Sequence, residues 1–366
     1  MNKIIAIRSL LCEDHAYHMP PNVLCITWMT GKRCNFDCSY CSPHFHDFVS
    51  PFIDTDTAYQ FVDSMFAFAE KNNKRIKWNF SGGEPFIDPG LMPLVKKLAG
   101  SKYTEQLDVT TNGSLPYKTY VEAYQYFKGI TFSIHLERTV DETWATIEKL
   151  KQLKQTVTGH ITVNLMALPG SMSLVENILQ ELTAAGIPAI VRKITPLSIT
   201  EEMIPFVNVE KTRKSVQLED VTKQQTKKQT WTMYSDQKRA SRMTEYYSAK
   251  EEEYLAKVNQ RPIWQNAGVW TKDSYTELHT DTLIASDNND FLGWTCYAGV
   301  DNLYIDFDGT IYRGQCLSGG EIGHIKENTT FLTEPTVCEK QWCLCNTEIA
   351  IRKVSAPEQL SMINQN

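Results

Sequence analysis

The sequence lacks any stretch of 18 apolar residues, and this excludes a helix that crosses a bilayer. Residues 1–21 include a short apolar run, but no small-residue cleavage site follows it, so the run predicts a strand rather than a signal peptide. A basic surplus is also missing, because 37 Lys and Arg stand against 43 Asp and Glu, for a net charge of −6. This balance gives no general attraction to nucleic acid or to an anionic membrane. We therefore expect a cytoplasmic protein without a membrane partner, and nucleic acid is a disfavoured partner.

Cysteine is absent from residues 42–295, although the chain contains ten cysteines. Cytoplasmic conditions disfavour disulfides, so clustered cysteines indicate metal or redox chemistry. The cysteines before the gap are Cys12, Cys25, Cys34, Cys38 and Cys41, and those after it are Cys296, Cys316, Cys338, Cys343 and Cys345.

Between residues 22 and 194, apolar β-rich runs alternate with segments of helical period. The predicted strands are 23–29, 75–80, 106–111, 130–135, 160–168 and 187–194. The predicted helices lie near 55–71, 89–99, 116–127, 139–155 and 172–185, with Asp54 and Ser171 or Ser173 as N-caps and Gly186 at a helix end. Six such units predict an α/β fold, an open, partial (β/α)6 TIM-type barrel with a parallel sheet. Functional residues are then expected at the C-terminal ends of the strands.

The alternation breaks after residue 200. The stretch 211–243 carries nine Lys and Arg against three Asp and Glu, which favours a solvated helical face or, alternatively, contact with an anionic substrate. A helix over about 236–258 would place Tyr246, Tyr247 and Tyr254 for docking on the barrel.

From residue 291 onward, short strands and turns are predicted, with a hairpin about Asp308–Gly309. We therefore predict three regions: a barrel core over 1–200, a partly helical basic insertion or linker over 201–290, and a small cysteine-rich α+β domain over 291–366.

The first cysteine motif, GKRCNFDCSYCSPHF, follows the first predicted barrel strand. Spacings of three and two residues in a loop can direct the thiolates of Cys34, Cys38 and Cys41 at one iron–sulfur cluster. A cubane has four irons, so three ligands leave one iron open for a substrate or cofactor. Zinc is the alternative, because His44 and His46 lie close by in the sequence.

The segment CNFDCSYC resembles the signature of the radical S-adenosylmethionine (SAM) superfamily, in which an aromatic residue, here Tyr40, precedes the third cysteine. The resemblance implies that the open iron of a 4Fe–4S cluster chelates the amino and carboxylate groups of SAM. The reduced cluster then passes one electron to the sulfonium, and the resulting 5′-deoxyadenosyl radical abstracts a hydrogen atom from the substrate. An electron donor such as flavodoxin or ferredoxin is implied as a partner.

The ends of the next strands carry further motifs that resemble this family. NFSGGEPF is similar to its GGE motif, whose role there is to hold the methionine amino group. Glycines let a backbone approach a ligand closely, and a carboxylate can receive an ammonium group, although an ordinary β–α turn is the alternative. TTNG ends the third strand, and later strands end in polar residues that an ordinary rim would also explain. The cofactor contacts that the resemblance implies are Tyr40, Ser81, Gly82, Gly83, Glu84, Thr111, Asn112, Ser133, His135, Asn164, Met166 and Arg192.

The five C-terminal cysteines lie in a segment with little else to build a core, which fits a metal that holds the segment together. Zinc is one interpretation. The succession CYAG, DGTIYRGQC and IGHI, followed by the last three cysteines, resembles the SPASM/twitch extensions of radical SAM enzymes. Five cysteines are too few for two auxiliary clusters, so the resemblance implies the twitch form, with one auxiliary 4Fe–4S cluster. Which of Cys296, Cys316, Cys338, Cys343 and Cys345 is not a ligand stays open.

The resemblance implies an enzyme, and we expect an oxidoreductase that oxidises a C–H centre in a small polar metabolite, with the auxiliary cluster accepting the electron. Only 33 residues precede Cys34, too few for a winged-helix domain that binds a peptide leader. The alternative is peptide or amino-acid modification by crosslinking, thioether formation or epimerisation. An epimerase needs a thiol hydrogen donor, and alternation along the first strand favours a core position for Cys25, so we expect net oxidation. A non-enzymatic zinc-binding module is the rival from another class.

Overall fold

The computed structural model describes residues 3–9, 22–38, 41, 46–194, 247–258, 266–327, 331–340, 342–343 and 346–356. Some predictions concern residues outside these ranges, namely those for Cys12, Tyr40, His44, Tyr246, Cys345 and the basic stretch 211–243. Within the described ranges, no helix has the length and apolar character needed to cross a membrane.

Six consecutive parallel strands form the centre of a nine-stranded sheet. They are β2 (Val23–Met29), β3 (Arg75–Ser81), β4 (Thr104–Thr111), β5 (Gly129–His135), β6 (His160–Ala167) and β7 (Ala189–Lys193), and each pairs with the next. The predicted strands agree with these bounds to within two residues. The parallel sheet of the predicted α/β fold is therefore confirmed.

Five helices connect the parallel strands: α1 (Thr55–Lys71), α2 (Leu91–Ala99), α3 (Tyr117–Ala123), α4 (Val140–Thr156) and α5 (Met172–Ala184). Asp54 caps α1 as predicted, because its carboxylate accepts a hydrogen bond from Thr57 N at 2.9 Å. Ser171 precedes α5 but makes no cap bond, since its hydroxyl donates to Leu168 O at 2.6 Å instead. Helix α3 ends four residues earlier than predicted, and a turn leads from it to the buried Phe127.

The two faces of the parallel sheet differ in chemistry because side chains alternate along each strand. On β2, Leu24, Ile26 and Trp28 belong to the core between sheet and helices. The corresponding positions of the other strands are also apolar and buried: Ile76, Trp78, Phe80, Leu107, Val109, Ile130, Phe132, Ile134, Ile161, Val163 and Leu165. The alternate positions are largely polar and line the opposite, concave face: Cys25, Thr27, Lys77, Asn79, Gln106, Asp108, Thr131, Ser133, Thr162 and Asn164. The fold thus presents a polar concave surface.

A C-terminal hairpin extends the same sheet. Strand β11 (Asn302–Ile305) pairs in parallel with β2, followed by the antiparallel β12 (Thr310–Tyr312) and β13 (Glu321–His324). The predicted turn is confirmed: Thr310 N donates to the Asp308 carboxylate at 3.0 Å, and Gly309 has φ +89°. The sheet order runs from β13 to β7, and these two edges do not pair with each other in the described chain. The barrel is therefore open, as predicted.

A second sheet joins the two ends of the sequence. Its order is β14 (Thr336–Val337), β10 (Thr295–Cys296), β15 (Lys353–Val354), β1 (Ile4–Ser9), β8 (Asn266–Thr271) and β9 (Tyr275–His279). The short helices α7 (Thr280–Ala285) and α8 (Asn346–Ile349) accompany it. The N-terminal run is a strand, as predicted, but its neighbours are C-terminal strands. The sheets thus cross the predicted boundaries at residues 200 and 291, and the division into three domains stays a prediction.

Helix α6 (Ala249–Val258) follows the parallel strands and lies against β7. Tyr247, just before it, is buried, donates its hydroxyl to Ala167 O at 2.8 Å and accepts from Ile194 N at 2.8 Å. Tyr254 also packs against the main core. The predicted docking on the barrel is confirmed for Tyr247 and Tyr254.

Candidate functional site

The first cysteine loop leaves the carboxyl end of β2 and is bound to the loop that leaves β3. Thr30 N donates to Ser81 O at 2.8 Å, Gly83 N to Gly31 O at 2.8 Å, and Glu84 N to Arg33 O at 2.9 Å. A further bond, from Cys34 N to Asp47 O at 2.9 Å, ties the loop to the segment before α1. The cysteines are therefore fixed at the edge where the fold predicts functional residues.

The two glycines of the β3 loop are required by this contact. A Cβ on Gly83 would lie 2.2 Å from Arg33 O, and one on Gly82 would lie 2.6 Å from Gly31 O. We expected these glycines to let the backbone approach a ligand. The structure adds a second reason, because the backbone they approach is the cysteine loop, and their closeness to a ligand stays a prediction.

Glu84 is only 2% exposed, and its carboxylate accepts three hydrogen bonds from protein donors. Thr111 Oγ1 and Phe86 N donate to Oε1 at 2.7 and 3.1 Å, and Asn112 N donates to Oε2 at 2.6 Å. Burial raises the pKa of this carboxyl, and the three donors oppose the shift. In this structure Glu84 therefore fastens the loop after β3 to the loop after β4, and its predicted contact with a ligand ammonium stays a prediction.

The thiols of the first motif lie among donors suited to thiolates. Cys34 Sγ accepts from Phe36 N at 3.4 Å and from Asn112 Nδ2 at 3.7 Å. Cys38 Sγ lies 3.4 Å from His135 Nδ1. Burial raises the pKa of the Cys34 thiol to about 11, so a bound metal is needed to keep it ionised. Cys34 and Cys38 are buried and Cys41 is half-buried, with Cys41 N bonded to Cys38 O at 3.1 Å.

These residues fit an iron–sulfur cluster better than the zinc alternative. Three soft thiolates from one loop, with N–H groups bonded to sulfur, are the donor set that such clusters use. His46, the described one of the two nearby histidines, is buried with Nε2 bonded to Phe36 O, and its ring packs edge-on against Phe48. Among the described residues, no three His, Cys, Asp or Glu side chains converge on one metal ion.

The predicted contacts of β5, β6 and β7 form rows on the concave face. His135 is the register partner of Met166, which is the partner of Arg192, and Ser133 is the partner of Asn164. Arg192 Nε donates to Asn164 Oδ1 at 3.2 Å. Burial lowers the pKa of His135 to about 4, so the imidazole is neutral at physiological pH. The fold thus brings these five residues together, and their contact with a cofactor stays a prediction.

The lower part of the concave face carries residues that the sequence did not single out. Lys77 Nζ lies 3.1 Å from Asp108 Oδ2 in a nearly buried ion pair. The sequence carried a signal for this, since Lys77 stands between the apolar Ile76 and Trp78 in a strand predicted to be central in the sheet. Cys25 is the register partner of Lys77 on this face and is only 7% exposed. The expected buried position of Cys25 is confirmed, and its side chain lies on the face of β2 opposite to Leu24 and Ile26.

Four of the C-terminal cysteines come together behind the hairpin. Cys296, Cys338 and Cys343 share one buried cluster with Phe291 and Trp294. Burial raises the pKa of the Cys316 thiol, and the nearby Glu348 carboxylate and the Cys296 and Cys338 thiols raise it further. Thiols from four segments therefore lie near one another, and cysteine thiolates are donors that suit an iron–sulfur cluster or zinc. Their role as ligands of an auxiliary cluster stays a prediction.

Glu348 organises this C-terminal group. Its carboxylate is buried and accepts from Gln315 N at 2.8 Å and from Asn302 Nδ2 at 2.9 Å. The first bond holds the residue next to Cys316, and the second reaches the start of β11. Glu348 carried no recognisable signal in the sequence, because its partners lie more than 30 residues away.

Comparison with known proteins agrees with the first motif. Residues 28–182 match the family model of the radical SAM superfamily. The chain contains a radical SAM domain. This match starts inside β2 and ends inside α5, so it includes the first cysteine motif and most of the parallel strands. A domain of this enzyme family implies a 4Fe–4S cluster and SAM as cofactors.

Similarity to curated relatives is confined to part of the chain. The GTP 3′,8-cyclase of Rippkaea orientalis is 34% identical over 97 residues, which are 25% of this chain and 28% of that protein. The GTP 3′,8-cyclase of Crocosphaera subtropica is 28% identical over 152 residues, 38% of this chain and 44% of that protein. The chain thus matches less than half the length of either relative.

Solved structures that align with the chain include anSMEcpe with bound AdoMet, at 16% identity and a TM-score of 0.47. That alignment covers 83% of this chain and 78% of anSMEcpe. Streptococcus suis SuiB bound to the precursor peptide SuiA aligns at 13% identity with a TM-score of 0.43, covering 86% of this chain and 63% of SuiB.

Proposed function

We propose that this radical SAM protein abstracts a hydrogen atom from a carbon of a small polar metabolite and oxidises it. The observation that supports this most directly is the position of the cysteine loop. It lies at the carboxyl edge of an open barrel, is tied to the GGE-like and TNG loops, and borders a concave face lined by polar side chains.

When bound, a 4Fe–4S cluster held by Cys34, Cys38 and Cys41 supplies the electron that cleaves SAM to the 5′-deoxyadenosyl radical. The protein's own residues position the reactants. Ser133, Asn164 and Arg192 offer hydrogen-bonding groups on one side of the concave face. The Lys77–Asp108 pair offers a donor and an acceptor that can orient substrate hydroxyl or amino groups.

An oxidation also needs an exit for the substrate electron, and the four convergent C-terminal cysteines support an auxiliary 4Fe–4S cluster in that role. Five cysteines in the segment leave one that is not a ligand. A cytoplasmic flavodoxin or ferredoxin is the electron donor that we expect for the first cluster.

A second candidate, epimerisation of an amino acid or peptide residue, is favoured by Cys25. Its side chain lies on the same face of the sheet as Lys77 and is 7% exposed, and burial raises the pKa of its thiol to about 11, so the S–H form is retained. A protonated thiol on the reaction face is what a hydrogen-atom donor requires. The two candidates differ in the product: epimerisation returns a hydrogen atom to the substrate carbon, whereas oxidation does not.

The test uses anaerobically reconstituted enzyme with dithionite and SAM, incubated with polyols, amino sugars, GTP or peptides. GTP is included because the curated relatives are named GTP 3′,8-cyclases. We expect one substrate class to increase 5′-deoxyadenosine and to yield a product two hydrogens lighter by mass spectrometry. Cys38→Ala is the control and should form no 5′-deoxyadenosine.

The same reaction in deuterated water decides between the two outcomes. Deuterium at a substrate carbon, absent in Cys25→Ala, would replace oxidation by epimerisation. Zinc without sulfide in the purified protein would refute both and support a zinc-binding module.

A further inference from the structure

A fully buried lysine lies at the centre of the C-terminal cysteine group. Lys353 is 2% exposed and stands in β15 directly opposite Cys296 of β10. Directly opposed residues of an antiparallel pair project to the same face of the sheet, with neighbouring Cβ atoms. The lysine and this cysteine therefore enter the same interior.

The hydrogen bonds of Lys353 fix its position without neutralising its charge. Its Nζ donates to the backbone oxygens of Ile351 and Ile349 at 3.3 and 3.4 Å, and to that of Glu348. The last two carbonyls belong to the C-terminal end of α8, where a cation is favourable. The ammonium also lies 5.2 Å from the centre of the Phe291 ring.

Burying a cation this completely is costly unless opposite charge lies close by. Within the described part of the chain, no carboxylate forms an ion pair with Lys353, and the carboxylate of Glu348 is engaged by Gln315 and Asn302. Three backbone carbonyls accept from its Nζ, which matches the three N–H donors of an ammonium group, so the hydrogen bonds hold Lys353 in its charged form. The cysteines near Lys353 would supply negative charge as thiolates once they bind a metal.

We propose that Lys353 is the fixed counter-cation of the auxiliary cluster and raises its reduction potential. This inference rests on the auxiliary cluster of the proposed function. The potential of an iron–sulfur cluster depends on local charge and on hydrogen bonds near its sulfurs. A cation held in place by backbone carbonyls stabilises the reduced, more negative form, which suits a cluster that accepts electrons. Lys353 is in this sense a positioning residue that acts through the cluster.

The experiment is a redox titration of the holoenzyme followed by electron paramagnetic resonance. A Cys38→Ala background removes the first cluster, so that only the C-terminal cluster gives a signal. Lys353→Met keeps the length of the side chain and removes its charge. The matched control is Lys326→Met, which removes an exposed lysine from the same C-terminal region. Iron and sulfide are counted in every variant.

We expect Lys353→Met to keep its iron and sulfide and to be harder to reduce by at least tenfold, which is a shift of about −59 mV for a one-electron couple. Lys326→Met should match the parent. Equal potentials in Lys353→Met and the parent would overturn the inference and leave the proposed cluster intact. A parent that holds no C-terminal cluster would refute that part of the proposed function, and this inference with it.

A second substitution tests the inference if Lys353→Met fails to hold the cluster. Lys353→Arg retains the charge. If it holds the cluster at the parent's potential, the cation is supported. If it also loses the cluster, Lys353 serves packing alone and the inference is overturned.

Discussion

Replacing Gly83 by alanine should break the contact that holds the cysteine loop. The added Cβ would lie 2.2 Å from Arg33 O and 2.5 Å from Lys32 O, and backbone atoms cannot yield as a flexible side chain can. Separating the loops removes the bonds from Gly83 N and Glu84 N, which are 2.8 and 2.9 Å long. Because a net hydrogen bond contributes about 1 kcal/mol and an unpaired buried N–H costs about 1–3 kcal/mol, we expect a loss of about 2–4 kcal/mol in unfolding free energy.

The cluster should suffer as well, since Arg33 immediately precedes Cys34. Gly31→Ala is the matched control in the facing loop, because its Cβ would find no atom closer than 3.9 Å. The assay combines urea unfolding of the metal-free proteins with iron and sulfide analysis after reconstitution. We expect Gly83→Ala to lose most of the first cluster and Gly31→Ala to keep it. Equal stability and equal iron in the two variants would refute the reasoning.

Three further predictions concern other contacts of the structure. Glu84→Gln should lower the unfolding free energy less than Glu84→Ala, because the amide oxygen can still accept from the TNG loop; equal losses by chemical unfolding would argue against this contact. Tyr247→Phe should cost about 1–3 kcal/mol by the same measurement, because it leaves buried backbone groups unpaired, while iron content stays unchanged. Lys77→Met should impair substrate-dependent 5′-deoxyadenosine formation more than it weakens SAM binding measured by titration. If Lys77→Met weakens SAM binding more than it impairs 5′-deoxyadenosine formation, Lys77 lies outside the substrate site.

Much of the barrel could be predicted from the sequence because its signals are local. Strand length, alternation and the spacing of β2 to β7 are properties of neighbouring residues, and so are the cap at Asp54 and the turn at Gly309. Helix α3 was overestimated, because the predicted helix included the turn that leads from Ala123 to Phe127.

The strands and loops that pair with one another over long sequence distances could not be predicted in the same way. Strand β1 has an ordinary β pattern, and nothing within it indicates that β8 and β15 are its neighbours. The glycines of the GGE-like loop were recognised, but what lies against them depends on residues about 50 positions earlier in the sequence. Glu348 and Lys353 gain their significance only from residues brought to them by folding.

The position of β1 in the second sheet affects the order in which the parts of the protein can fold during synthesis. It lies between β8, which begins at Asn266, and β15, which begins at Lys353. During synthesis the first strand therefore waits for more than two thirds of the chain before either partner exists. Contacts of such high sequence separation are slow to form, and an unpaired strand edge is open to wrong partners in the meantime. The site around Cys296 is thus completed late, and we expect metal insertion there to follow the folding of the barrel.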